Sequence, residues 1–162
     1  MADVNDVAAA ILDKTGEIDT FKLQKLVYYS QAWYRVWKSK PLFTDEIQAW
    51  AGGPVVPSLY SRHRGRFSVS EWPWGDPKRL TADELEVVES IVDAYGRLTG
   101  YQLSQLTHSE APWIRAREGL APGQRGSRII ELDDIYDYYS DLDQNPEATD
   151  ISKLTFSEDE PL

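Results

Sequence analysis

His63 and His108 are the two histidines of this chain, and any imidazole acid–base chemistry has to use one of them. His108 lies in "LTHSEAPW", residues 106–113, next to Glu110, and His63 lies among arginines in "YSRHRGR". Each could pair with a carboxylate such as Glu110 or Asp45, but nothing in the spacing requires it. Without an identifiable partner, a single histidine is weak grounds for catalysis. No Gly-x-Ser-x-Gly, phosphate loop or His-Glu-x-x-His accompanies either one. Asp133, Asp134 and Asp137 lack the glycine and terminal glutamate of a calcium loop. With no cysteine, thiolate nucleophiles, zinc–thiolate sites and disulfides are excluded. The expectation is therefore no catalytic residue, no metal and no cofactor. "LTHSEAPW" reads better as a helix–helix junction. Thr107 and His108 close one helix, where the dipole favours an imidazole, and Ser109 caps the next. Pro112 falls in the first turn, where a missing N–H costs nothing, and Trp113 packs inward.

Length and charge bound the rest. A chain of 162 residues suits one domain with a real core. Hydrophobic content of 41% with six tryptophans and nine tyrosines is too apolar for disorder and implies either a dense interior or an adhesive surface. The net charge of −10 lies entirely beyond residue 130, where eleven acids meet one base, Lys153. The preceding body holds sixteen of each sign. An acidic end repels phosphates, and a neutral body lacks a DNA binder's basic footprint, so nucleic acid is an unexpected partner. No signal peptide or membrane-length apolar run is visible, and a cytoplasmic protein is expected.

Hydrophobic spacing predicts the elements. Val4, Val7, Ala8, Ile11 and Leu12 share one helical face, closed at Gly16. Residues 20–38 form a helix, capped by Asp19 or Thr20. It is apolar nearly all round, with Leu23, Leu26, Val27, Trp33 or Tyr34, and Trp37 in one stripe. Such a helix belongs at the centre. Gly52-Gly53-Pro54 and Pro57 then impose a short helical or extended piece, a tight turn and a new helix from about Pro57. "SVSEWPWGDP" reads as a loop. Thr81 with Glu84, and Thr99 with Gln102, form capping boxes. The first opens an amphipathic helix running on to Leu98, the second a helix over residues 100–108. Residues 128–130 are a short strand or extended lead-in. Leu132 to Tyr139 is a last helix with Ile135, Tyr136 and Tyr139 on one side. The expected architecture is one mainly α domain, residues 1–142, followed by an acidic, flexible tail, residues 143–162.

Four blocks, "FKLQKLVYYSQAWY", "PLFTDEIQAWAGGPVVPSLY", "DAYGRLTGYQLSQLTHSEAPW" and "IIELDDIYDYY", resemble the Panacea-domain family in order and spacing. This family was first met as phage-associated proteins and includes the SocA-type antitoxins. The resemblance spans nearly all of residues 4–140, with Gly52 standing where relatives often carry a bulky aromatic. It implies a compact helical domain without enzymatic activity. The antitoxin would bind and neutralise a cognate protein toxin encoded by an adjacent gene, as in a type II toxin–antitoxin system. Family toxins include alarmone-synthetase-like enzymes and small membrane-acting proteins. A proteolysis adaptor for an ATP-dependent protease and a DNA-binding autoregulator are the alternatives. Oligomeric state is left open.

Candidate partner-binding residues follow. Trp50, Gly53, Pro54 and Tyr60 carry over from the family's central motif, although glycine, proline and buried rings also serve architecture. Arg62, His63, Arg64 and Arg66 form a basic knot, suited to an acidic partner surface or to the acidic segment of the same chain. Trp72 and Trp74 could be exposed anchors or plugs. His108 and Trp113 come from the junction, and Leu154 and Phe156 are apolar points in the tail.

Overall fold

The structure, a computed structural model, describes residues 1–145 of the 162. Seven helices and four very short strands make up the described part: α1 (Val4–Thr15), β1 (Ile18–Asp19), α2 (Thr20–Lys38), β2 (Gln48–Trp50), β3 (Gly53–Val55), α3 (Pro57–His63), β4 (Ser68–Val69), α4 (Ala82–Tyr95), α5 (Gly100–His108), α6 (Ala111–Ala116) and α7 (Leu132–Asp143). The fold is mainly α, as expected.

α2 is the axis. Asp19 caps it by accepting from Lys22 N at 2.8 Å, and Ser39 ends it in the left-handed conformation. α1, α4, α5 and α7 all pack on it, so the side chains from Leu23 to Tyr34 are buried on every side. That explains why its sequence shows no polar stripe in this stretch. The ends escape: Phe21 is 41% and Trp37 44% exposed, so Trp37 does not complete the core stripe. Tyr29 stacks on Tyr95 of α4 at 4.2 Å, and Trp33 Nε1 donates to the Tyr95 hydroxyl at 2.9 Å. Each large ring buried this way contributes on the order of 2–3 kcal/mol.

Local chemistry fixes the other boundaries. Gly16, with φ 72°, ends α1. Both capping boxes form, opening α4 and α5. α4 stops at Tyr95, so Leu98 lies beyond it, though still buried in the core. Ser109 does not cap α6. It closes α5 instead, its hydroxyl donating to the Leu106 carbonyl at 2.7 Å, and Glu110 takes the extended cap position of α6. In α7, Ile135 and Tyr139 are buried but Tyr136 is 37% exposed, its ring lying under the Arg35 guanidinium.

The strands are fasteners. β1 pairs antiparallel with β4, and β2 with β3, in the register Gln48↔Val55, Ala49↔Pro54, Trp50↔Gly53. Residues 128–130 come alongside this hairpin, with Ala49 N donating to the Arg128 carbonyl and Ile130 N to that of Ile47. No helix among the described residues is long and apolar enough to cross a membrane.

Candidate partner-binding site

The β2–β3 hairpin is held from behind by polar bonds. The Ser104 hydroxyl donates to the Gly52 carbonyl, Trp113 Nε1 to the Trp50 carbonyl at 2.9 Å, and Arg117 to the Ala49 carbonyl at 3.3 Å. Gly53 sits at φ +126°, a conformation L side chains rarely adopt. A Cβ there would come within 2.5 Å of Lys25 Cε and 3.1 Å of Thr107 Oγ1. Gln24 of α2 braces the exit of the hairpin: Val56 N donates to its carbonyl oxygen at 2.9 Å, and its amide nitrogen lies 2.9 Å from His63 Nε2.

In front of the hairpin, rings form a row. Trp50 meets Tyr60 edge-on at 4.8 Å, Tyr60 meets His63 at 5.4 Å, His63 meets Trp72 at 6.3 Å, and Trp72 meets Trp74 at 5.1 Å. The Arg62 guanidinium caps the end of the row, 5.1 Å from the Trp74 ring. The expected residues Trp50, Tyr60, Arg62, Trp72 and Trp74 therefore come together along one face. They do not share one environment. Trp72 is buried, its Nε1 donating to Asn5 Oδ1, while Trp74 is 38% exposed. Arg62, Arg64 and Arg66 are exposed but His63 turns inward, so the basic knot divides between surface and core. Phe67, 75% exposed, adjoins the start of α2 through the bond from Thr20 N to its carbonyl. Sequence reading did not single it out, and it counted Phe21, 41% exposed here, among the apolar sides of a central helix. A phenylalanine in a run of arginine and serine was the available sign.

Pro54 is buried in β3. His108 and Trp113 stack at 4.0 Å behind the hairpin, with the Arg117 guanidinium 5.5 Å from the indole. His108 Nε2 is buried with no hydrogen-bond partner among the described residues. Desolvation lowers the pKa of both histidines, and the nearby Lys25 charge adds to this, so both imidazoles favour the neutral form. Neither touches a carboxylate: Asp45 accepts from Ser58, and Glu110 from tyrosines. Leu154 and Phe156 lie outside the described residues.

Sequence reading did not foresee the burial of Lys25 and Glu110. Lys25 is 1% exposed. Its sign was a lysine inside a helix otherwise apolar all round. Glu110 is 5% exposed and accepts from the Tyr29 and Tyr139 hydroxyls at 2.6 and 2.8 Å, with the Tyr28 hydroxyl 3.1 Å from that of Tyr139. A phenol has one hydrogen, so both contacts of Tyr139 are filled only if Tyr28 donates to it. This network ties α2 to α7.

The described residues form a mainly helical domain with a ring-lined hairpin face. Residues 23–114 match the family of SocA-like antitoxins with a Panacea domain, and the chain belongs to that family. A curated relative, Antitoxin SocA of Caulobacter vibrioides (strain NA1000 / CB15N), is 30% identical over 129 aligned residues, covering 68% of each chain. No solved structure matches.

Proposed function

We propose that this protein is a cytoplasmic, non-enzymatic antitoxin that neutralises a cognate protein toxin, the product of an adjacent gene, by direct binding as in a type II system. Family membership supports the antitoxin role. The observation that carries direct binding is the face in front of the hairpin. Phe21, Phe67 and Trp74 are exposed there beside Trp50, Tyr60 and the arginines 62, 64 and 66. Exposed aromatics bordered by arginine are typical of interface hot spots, and burying them against a partner would recover apolar area that folding leaves in water.

The test is co-expression with the adjacent reading frame, followed by co-purification and growth rescue. Replacing Phe67 by Ser and Trp74 by Ala should leave the domain folded, Phe67 costing little at 75% exposure and Trp74 giving up its contacts with Trp72 and Arg62. Affinity for the toxin should fall by at least about 2 kcal/mol, roughly 30-fold in Kd. Full rescue and unchanged affinity in the double variant would move the interface elsewhere. Failure of the unmodified pair to associate would end the proposal.

A further inference from the structure

Between the start of α2, the hairpin and α3 lies an open cavity of about 380 Å³. Phe21, Trp50, Val55 and Tyr60 form apolar walls, Lys25 reaches it from α2, and Arg66 stands at its edge. Its size falls within the range of small-ligand sites.

Lys25 makes the cavity informative. Among the described residues its ammonium has no ion pair and no hydrogen bond. The Phe21 ring lies beside it, its centroid 5.7 Å from Nζ, and Gly53 of the hairpin approaches it closely. Asp19 acts on it only through space, since its carboxylate caps α2. Burial pushes the Lys25 pKa down to about 8, which leaves it mostly protonated at neutral pH. A buried, unpaired ammonium is costly and could be exchanged for an apolar side chain with a gain in stability. Gly53 leaves room for it, since a side chain at that position would strike Lys25. The hairpin turn accounts for Gly53, but folding alone does not explain an unpaired Lys25, which an anion entering from solvent would neutralise.

The charge count and the walls select the anion. Desolvation shifts His63 toward its neutral form, its Nε2 facing the Gln24 amide, so Lys25 is the main positive charge at the floor of the cavity and Arg66 supplies a second at the edge. One floor charge beneath aromatic walls suits a carboxylate on an apolar body better than a compact, fully hydrated dianion. We infer that this cavity is a binding site for an apolar or aromatic carboxylate, whose charged group meets Lys25 Nζ while its body lies against Trp50 and Tyr60. Two sources share that chemistry: a free small acid, and the carboxy-terminal end of a polypeptide.

The experiment needs no toxin, so it is independent of the antitoxin reading. The full chain is titrated with 3-phenylpropanoate, with its neutral amide, with N-acetyl-Ala-Ala-Phe and with inorganic phosphate, by calorimetry and by the NMR shift of the Trp50 indole N–H. The acid should bind saturably and at least about tenfold more tightly than the amide. Lys25→Met should lose acid binding while melting at or above the parent temperature. N-acetyl-Ala-Ala-Phe binding more tightly than the free acid identifies a polypeptide end as the natural occupant, and weaker or equal binding identifies a small acid. Equal affinity for acid and amide, retained binding in Lys25→Met, or tighter binding of phosphate would each overturn the inference. The acid–amide comparison on the unmodified chain decides the matter even if the variant does not fold.

Discussion

The Glu110 carboxylate accepts two tyrosine hydroxyls, and both bonds favour its charged form. Desolvation opposes them and wins, raising its pKa from 4.5 to about 7. The consequence for stability has a definite sign. Below the unfolded value near 4.5, both states hold the proton and the contribution of Glu110 is fully present. Between there and about 7 the unfolded chain ionises first, so this contribution falls as pH rises, by about 3 kcal/mol in total. Glu110→Gln removes that dependence. Urea denaturation at pH 5 and pH 8 should show the parent losing up to about 3 kcal/mol relative to the variant at the higher pH. A difference between the two proteins that does not change with pH would mean that Glu110 does not titrate in this range. "LTHSEAPW" thus holds the fold together, and it does so through its glutamate as much as its histidine. Residue types alone did not reveal this, because the tyrosines that embrace Glu110 lie 81 and 29 positions away.

Elements were legible wherever their ends depend on neighbours in sequence. The two capping boxes, the glycine closing α1 and the span of α2 all rest on interactions over a few residues. Ser109 was misread because a serine can bond forward to a new helix or back to the last carbonyls of the old one. Glu110, held in the tyrosine network, takes the cap position of α6 without a side-chain cap bond. The β2–β3 hairpin was visible only as a turn, since strands of three residues are too short to show alternation. Its tightest demand is at Gly53. Gly53→Ala should destabilise the protein by about 1–3 kcal/mol, combining an unfavourable positive φ with pressure on Lys25. Thermal denaturation checks this, and an unchanged melting temperature would show that the hairpin relaxes at no cost.

At the scale of the molecule, charge separates a neutral body from an acidic end. If that end covers a basic toxin surface, deleting residues 143–162 should weaken neutralisation while leaving the domain folded. Among the described residues, the deletion removes one side-chain bond, from Trp37 Nε1 to Asp143, together with the last backbone bonds of α7. Circular dichroism and growth rescue measure the two effects separately, and undiminished rescue would take the tail out of the mechanism. Composition, helix periodicity and cap spacing by themselves determined a mainly helical domain around one central helix, because these signals are local and additive along the chain. Only the tertiary structure decided which rings face solvent, that His63 turns inward while its arginine neighbours do not, and that Lys25 stands in a cavity with no hydrogen-bond or ion-pair partner among the described residues. Those outcomes depend on contacts between residues distant in sequence, and on how closely the backbone of the hairpin approaches α2.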